Sequence, residues 1–307
     1  GAAIKILDPE TGDIRSTTLK DLHEVSRLVD QLDNIHFLVR PCIPTDIDKA
    51  DYDINMFYAC LSGSAKHVMS GVNDTKGLHN VIEMASMIAK GLDKLQERPF
   101  ISVITSFAIS PLKLCTQSTL IMQEAIRNRI PVALSCAPMA GSTSPLTMAG
   151  TLAQIHAEQL AGITICQLTK AGSPLLYGGI PGMANLKTMG YSGGAVECGM
   201  MNAAIHQLAH HIKVPNYNSS GLSDSKIPDA QAGYEKAFTA LLASWVAPII
   251  STTVPACSNQ CSPLPMNSLS LMMRSLETAA RFSKELTAMQ NTLPWKLLIL
   301  LVLVAIL

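Results

Sequence analysis

The stretch Val214-Pro-Asn-Tyr-Asn-Ser-Ser-Gly-Leu-Ser-Asp-Ser-Lys-Ile-Pro-Asp-Ala-Gln-Ala-Gly-Tyr-Glu-Lys236 runs from a short strand signal through a polar loop into a strongly helical segment. The loop holds small hydroxyls, Asp224, Asp229 and Lys226, as expected of a binding loop carried on a rigid α/β scaffold. The same unit recurs along the chain. Short aliphatic or β-branched runs stand at His36–Val39, His67–Ser70, Phe100–Thr105, Pro131–Ser135, Pro174–Tyr177, Val214–Tyr217 and Pro248–Ser251. Helical patterns fall between them at Thr45–Leu61, Thr75–Glu97, Lys113–Arg129, Thr147–Thr169, Ala195–Ile212 and Asp229–Trp245. Strands that read as continuous apolar runs are buried on both faces, so the sheet is parallel with helices packed against it. The expected fold class is α/β: a (β/α)8 TIM-type barrel in preference to a doubly wound sheet. Six βα units and a seventh strand are visible, so the barrel is incomplete.

Composition narrows the function. The 307 residues are 48% hydrophobic and 15% charged, enough for a large core. Lys+Arg and Asp+Glu balance at 23 each with no basic stripe, which argues against a nucleic-acid partner. The eight cysteines lack the dense spacing of a disulfide framework and point to reduced thiols in a cytoplasmic protein. Gly1 to Gly12 reads as a strand running into a turn, with no signal-peptide pattern. Trp295–Leu307 is almost wholly apolar but shorter than the roughly 20 residues of a membrane span, so no membrane partner is expected.

Both candidate architectures place their sites at the carboxyl ends of the strands. The loops there are small and polar: Ser70-Gly-Val-Asn-Asp74, Ser135 to Pro145, Tyr177 to Gly182 and Tyr217 to Asp224. Glu197 and Asp224 are the candidate catalytic carboxylates, able to pair a cation or handle a proton. The competing reading for Glu197 is a helix-dipole contact, and for Asp74 a helix cap. Asp74, Tyr177, Tyr191, Tyr217 and Ser220 are the candidate substrate-binding residues, the tyrosines offering ring faces to an alkylammonium group. The glycine pairs Gly178-Gly179 and Gly193-Gly194 match no phosphate-loop pattern and read as tight turns. His206 and His210 have zinc-ligand spacing but no third ligand nearby, so they read as a solvent-facing helix end and no metal is expected. Cys136 reads as a small buried residue.

Five segments, in order and spacing, resemble the trimethylamine methyltransferase family. They are Asp8-Pro-Glu-Thr-Gly12, Ala140-Gly-Ser-Thr-Ser-Pro-Leu-Thr-Met-Ala-Gly150, Ala157-Glu-Gln-Leu-Ala-Gly162, Ser192-Gly-Gly-Ala-Val-Glu197 and Ser223 to Lys236. The resemblance covers about Ile4 to Trp245. It implies a (β/α)8 barrel that moves a methyl group from a methylamine to the cob(I)alamin of a separate corrinoid protein. The corrinoid cofactor then belongs to the partner, and this chain binds none. Every residue here is standard, without the pyrrolysine of some archaeal relatives, which turns the expected substrate towards a quaternary, betaine-like amine. An assembly of identical chains is left open. A non-catalytic barrel that binds a betaine-like solute or a partner protein needs the same tyrosines but neither carboxylate. A lyase or aldolase-type barrel needs a lysine at a strand end, and none of the seven strands carries one there.

The resemblance divides the chain into a barrel portion, residues 1–246, and a tail, residues 247–307, where the family pattern gives way to Cys- and Pro-rich text and an apolar end. Back-translated and read two bases later, Leu269 to Ser275 gives the Val-Ile-Asp-Asp-Glu-Ile run that the family would have there. The tail is therefore expected to be out-of-frame translation, and further family sequence is expected ahead of Gly1.

Overall fold

A computed structural model of the chain describes residues 2–8, 11–225, 227, 229–245 and 250–253. The tail expectation falls almost wholly outside the described residues. Seven strands form one sheet: β1 (Phe37–Val39), β2 (His67–Ser70), β3 (Ile101–Thr105), β4 (Val132–Leu134), β5 (Leu175–Gly179), β6 (Asn216–Ser220) and β7 (Ile250–Thr253). Each matches an expected run to within three residues at either end. All neighbours are parallel, and the spatial order follows the chain order without reversal from β1 to β7. A doubly wound sheet would reverse direction at a switch point. Winding one way only is the topology of a barrel, here a curled part of one.

Eight helices are described: α1 (Leu19–Asp30), α2 (Tyr52–Gly63), α3 (Thr75–Ala89), α4 (Leu92–Glu97), α5 (Thr116–Arg127), α6 (Met148–Thr169), α7 (Val196–His211) and α8 (Ala230–Trp245). The expected helix over Thr75–Glu97 is broken in two, because Lys90 (φ 61°) and Gly91 (φ 141°) both take positive φ. The helix expected from Thr45 begins later, after a single 3-10 turn at Lys49–Asp51. Helix α1 has no counterpart among the expected elements. Its start is nonetheless written in the sequence: the Thr18 hydroxyl accepts from Asp21 N–H while the Asp21 carboxylate accepts from Thr18 N–H. Arg15 fixes the N-terminal hairpin (Lys5–Leu7 with Ile14–Ser16) to this helix by bonding Asp8 and Asp21 together.

The strands divide their side chains between two cores, as an alternating pleat requires. Leu38, Val68, Val103, Val132, Leu134 and Tyr177 join the large core under the helices. Phe37, Val39, Met69, Ile104, Ala133, Leu176 and Tyr217 cluster on the other, concave face. Loops leaving the carboxyl ends carry structure of their own. After β3 a hairpin pairs Ala108–Ile109 with Lys113–Leu114. After β4 and β5, Met139–Ala140, Gly182–Ala184 and Tyr191–Ser192 make a small three-stranded ribbon. Among the described residues, no helix is long and apolar enough to cross a membrane.

The hairpin is seated by Phe107, fully buried against helix α6 at Gly162, where a Cβ would lie 2.5 Å from the Phe107 ring. Close packing leaves no room for that methyl. Gly162→Ala is expected to lower stability by about 1–3 kcal/mol through overpacking. Urea unfolding measures it, and an unchanged midpoint would show that the ring relocates freely.

Candidate active site

The β4–β5 ladder is interrupted near its carboxyl end, where a side-chain amide takes the missing hydrogen bonds, and it resumes above through Ile180 N–H to Cys136 C=O (2.8 Å) and Gly182 N–H to Pro138 C=O (3.0 Å). Between β4 and β5 the described pairing reaches only Leu176↔Ala133. Beyond it, Gln159 of α6 accepts from Gly178 N–H (3.2 Å) and donates to Leu134 C=O (3.2 Å). Above the β5–β6 pairing, which ends at Gly179↔Asn218, Asn202 of α7 accepts from Ser219 N–H (3.2 Å) while donating to Cys198 C=O. Both amides are buried. Each satisfies backbone groups whose exposure in a dry core would cost a hydrogen bond apiece.

Tyr217 closes the first gap from the concave side. Its ring lies on Gly178, where any Cβ would collide with it, and its hydroxyl donates to the same Leu134 C=O (3.0 Å). Burial pushes the phenol pKa up, with a hydrogen bond from Ser135 opposing. Tyr177 lies on the helix side instead, fully buried, with its hydroxyl on His156 Nδ1 (2.9 Å). It cannot present a face to a ligand in the concave mouth. Tyr191 stands in the ribbon with its ring pressed between Gly182 and Gly193. Of the three tyrosines, only Tyr217 is on the concave face.

Asp224 joins two of the segments that carried the family resemblance. Its carboxylate accepts from Gly193 N–H (3.0 Å), and Gly194 N–H and Ser192 also bond it. Burial raises its pKa, with the neighbouring Glu235 adding to the rise and the Gly193 bond opposing. Glu235 of α8 in turn accepts from Ser223 Oγ (2.7 Å) and Asp224 N–H (2.8 Å), and its carboxylate occupies the space that a side chain at Gly194 would need. The glycine pair therefore makes room for Tyr191 and Glu235.

Glu197 is exposed in the first turn of α7, and the structure does not bring it to Asp224's hydrogen bonds. Asp74 caps α3, accepting from Gly77 N–H (2.7 Å). The buried carboxylate beside it is Asp53, missed in the sequence, which accepts from Asn73 N–H (2.8 Å) and has its pKa raised by burial. Ser220 shares the helix-facing side of β6 with Asn216.

Cys136 is fully buried, as its sequence reading expected, accepts from Gln159 Nε2 (3.3 Å), and has its thiol pKa pushed far up by burial with the nearby Glu158 adding to it. Glu158, also unforeseen, holds the β3 hairpin by accepting from Ser110 Oγ and Leu112 N–H (3.0 Å each). His206 is buried and bonded to Asn216, a correction to the solvent-facing reading, while His210 is exposed. Among the described residues, no group of three His, Cys, Asp or Glu could hold a metal ion.

A cavity of about 740 Å³ opens at the opposite end, bordered by His36, His67, Ser102, Pro131, Pro174 and Val214. These residues stand at the amino ends of the strands, the end of such barrels that serves stability. The lining is mostly apolar and takes in Phe37, Met69 and Leu176 of the concave cluster, and its described polar pairs, His67 Nε2 with Ser102 Oγ (2.8 Å) and Gln167 Nε2 with Ser173 C=O (3.3 Å), are satisfied. The carboxylates and glycine-lined loops all lie at the other end, which is the candidate site.

Comparison with known proteins gives a family and a fold. The family model for trimethylamine methyltransferase matches residues 2–249. A trimethylamine methyltransferase of Desulfitobacterium hafniense is 36% identical over 242 residues, 79% of this chain and 49% of the relative. A glycine betaine methyltransferase of the same species is 32% identical, over 76% of this chain and 49% of the relative. A trimethylamine methyltransferase of Methanosarcina barkeri is 31% identical, over 73% and 45%. The chain thus spans about half the length of the curated relatives it matches. In fold it is similar to a dihydropteroate synthase from Coxiella burnetii, with TM-score 0.53 at 10% identity over 85% of this chain and 84% of that one.

Replacing Gln159 by Leu strands Gly178 N–H inside the protein, and the expected loss is about 1–3 kcal/mol of unfolding free energy. A urea midpoint matching that of the parent would contradict the amide's role. Asp224→Asn keeps an acceptor for Gly193 but removes a carboxylate whose folded pKa is raised. Such a group favours the folded state while protonated, and that contribution is lost as pH rises through the folded pKa. The variant should therefore gain thermal stability over the parent at neutral pH, with the gain shrinking as pH falls towards the ordinary aspartate range. A gain that grows on acidification would contradict this.

Proposed function

Because the chain belongs to the trimethylamine methyltransferase family, we propose that it forms the catalytic barrel portion of an enzyme that moves a methyl group from a betaine-like quaternary amine to the cob(I)alamin of a separate corrinoid protein. The observation that carries this reading is Asp224, a partly buried carboxylate held by Gly193 and Gly194 at the carboxyl-end face. Burial makes its ionisation costly, and a quaternary ammonium beside it offsets that cost.

In the transfer, the methyl–nitrogen bond breaks with its electron pair remaining on nitrogen, and the amine leaves neutral. No proton needs to be supplied. The partner's cobalt supplies the nucleophile. The chain's own task is to hold the N-methyl group in line and exclude water. The positive charge of the substrate disperses as the bond breaks, so a carboxylate beside it stabilises the bound amine more than the transition state. Asp224 is accordingly assigned to binding the ammonium group, and Tyr217 to the floor beneath it.

The face around this mouth suits a protein partner. Leu112, Leu146, Leu186, Met189 and Ile227 are exposed on loops that follow β3, β4, β5 and β6. Leu146 and Leu186 both approach Gly141 and so stand side by side across the ribbon. Exposed apolar groups gathered on one face mark an interaction surface, assigned here to the corrinoid protein. The six described cysteines are free thiols, which supports a reducing, cytoplasmic setting.

The test is methyl transfer from glycine betaine and from trimethylamine to a corrinoid protein, followed by cobalt absorbance. Glycine betaine should be turned over, and Asp224→Asn should raise KM about tenfold or more with kcat less affected, the pattern of lost ground-state binding. Turnover of trimethylamine but not glycine betaine would sink the quaternary-amine reading. An unchanged KM in the variant would remove Asp224 from the site.

A further inference from the structure

Strand β6 ends in two adjacent serines, and the pleat sends them to opposite faces. Tyr217 belongs to the concave cluster, whereas Asn216 bonds His206 of α7 on the helix side. Ser219 therefore shares the concave face with Tyr217, and Ser220 the helix face with Asn216. A shift of one residue reverses the assignment, which is why register decides it. Ser219 is 2% exposed, and its hydroxyl oxygen has no hydrogen-bond partner. Its own N–H is already taken by Asn202 Oδ1. The hydroxyls of Ser135 and Tyr217 are committed elsewhere: Ser135 bonds Tyr217, and the Tyr217 hydroxyl donates to Leu134 C=O. A buried hydroxyl left unpaired at the carboxyl end of an inward strand position carries a desolvation penalty that a ligand would relieve.

We propose that Ser219 is the hydroxyl of this mouth that contacts the substrate, donating a hydrogen bond to the carboxylate of a betaine-type amine. This rests on the methylated-amine reading and adds to it the end of the molecule that is recognised. A quaternary nitrogen has neither a lone pair nor an N–H, so its methyl-bearing end offers a hydroxyl nothing to bond. The carboxylate is the strong acceptor on such a ligand, and a hydrogen bond from a neutral donor to a charged acceptor is among the stronger kinds. Ser219 would thus separate carboxylated amines from simple tetraalkylammonium ions, while Asp224 serves the charge common to both.

Calorimetric titration of the 307-residue chain with glycine betaine and with tetramethylammonium tests the assignment. Ser219→Ala should weaken glycine betaine by about tenfold and leave tetramethylammonium within about twofold, since the lost bond to a charged group is met by one ligand only. Ser219→Cys, close in size with a weaker donor, should fall between parent and alanine variant and controls for packing. Ser220→Ala should leave both affinities as in the parent. Unchanged glycine betaine affinity in Ser219→Ala, or an equal loss for both ligands, would overturn the assignment while leaving the methylated-amine reading in place. Failure of the parent chain to bind either ligand would overturn that reading itself, and this inference with it.

Discussion

The site depends on one hydrogen-bonded junction, Gln159 placed between Gly178 N–H and Leu134 C=O, with Tyr217 laid over the opposite face. A parallel ladder that is interrupted must satisfy the backbone groups it leaves unpaired, or the gap cannot persist in a dry interior. One amide side chain can replace both a donor and an acceptor. Gln159 does so at β4–β5, and Asn202 fills the corresponding place beyond the β5–β6 pairing. The interruption is therefore a fixed feature of the fold, closed above by Ile180 N–H on Cys136 C=O, and the glycine at 178 is what lets the Tyr217 ring cross it.

This junction gives a physical meaning to segments first noticed as similarities of wording. In Ala157-Glu-Gln-Leu-Ala-Gly162, Glu158 holds the β3 hairpin, Gln159 fills the gap in the sheet, and Gly162 receives Phe107. In Ser192-Gly-Gly-Ala-Val-Glu197, the glycines admit Tyr191 and Glu235 and give their N–H groups to Asp224. The β3 hairpin is thereby tied to α6, and the β5 and β6 loops to each other, at the face where a barrel keeps its chemistry. A site needing an in-line approach benefits from such bracing, because small displacements of a bound group cost rate steeply.

The sheet was legible in the sequence because its strands are short apolar runs set off by proline and polar loops, and all seven stand where they were read. The face each side chain takes was not legible. Continuous burial erases the period of two, so Tyr177 and Tyr217 look alike in the sequence yet lie on opposite sides of the sheet. The faces of Ser219 and Ser220 likewise follow only from the register fixed by Asn216 and Tyr217. Glu158 and Gln159 carried a usable signal: with Thr151, Ile155, Gly162 and Cys166 they form the buried stripe of α6 at helical spacing, and two polar residues on such a stripe require partners. Asp53 gave no such sign, since its burial follows from the packing of α2 against the start of α3. Helix α1 was missed although Thr18 and Asp21 stand at capping-box spacing.

The central claim is that a methylated amine enters at the carboxyl-end mouth and not at the amino-end cavity. Backbone amide NMR shifts during titration with glycine betaine locate the ligand directly. The account predicts perturbations concentrated at Gly178, Gly193, Ser219 and Asp224. Perturbations concentrated instead at His36, His67 and Ser102, around the apolar cavity at the other end, would contradict it.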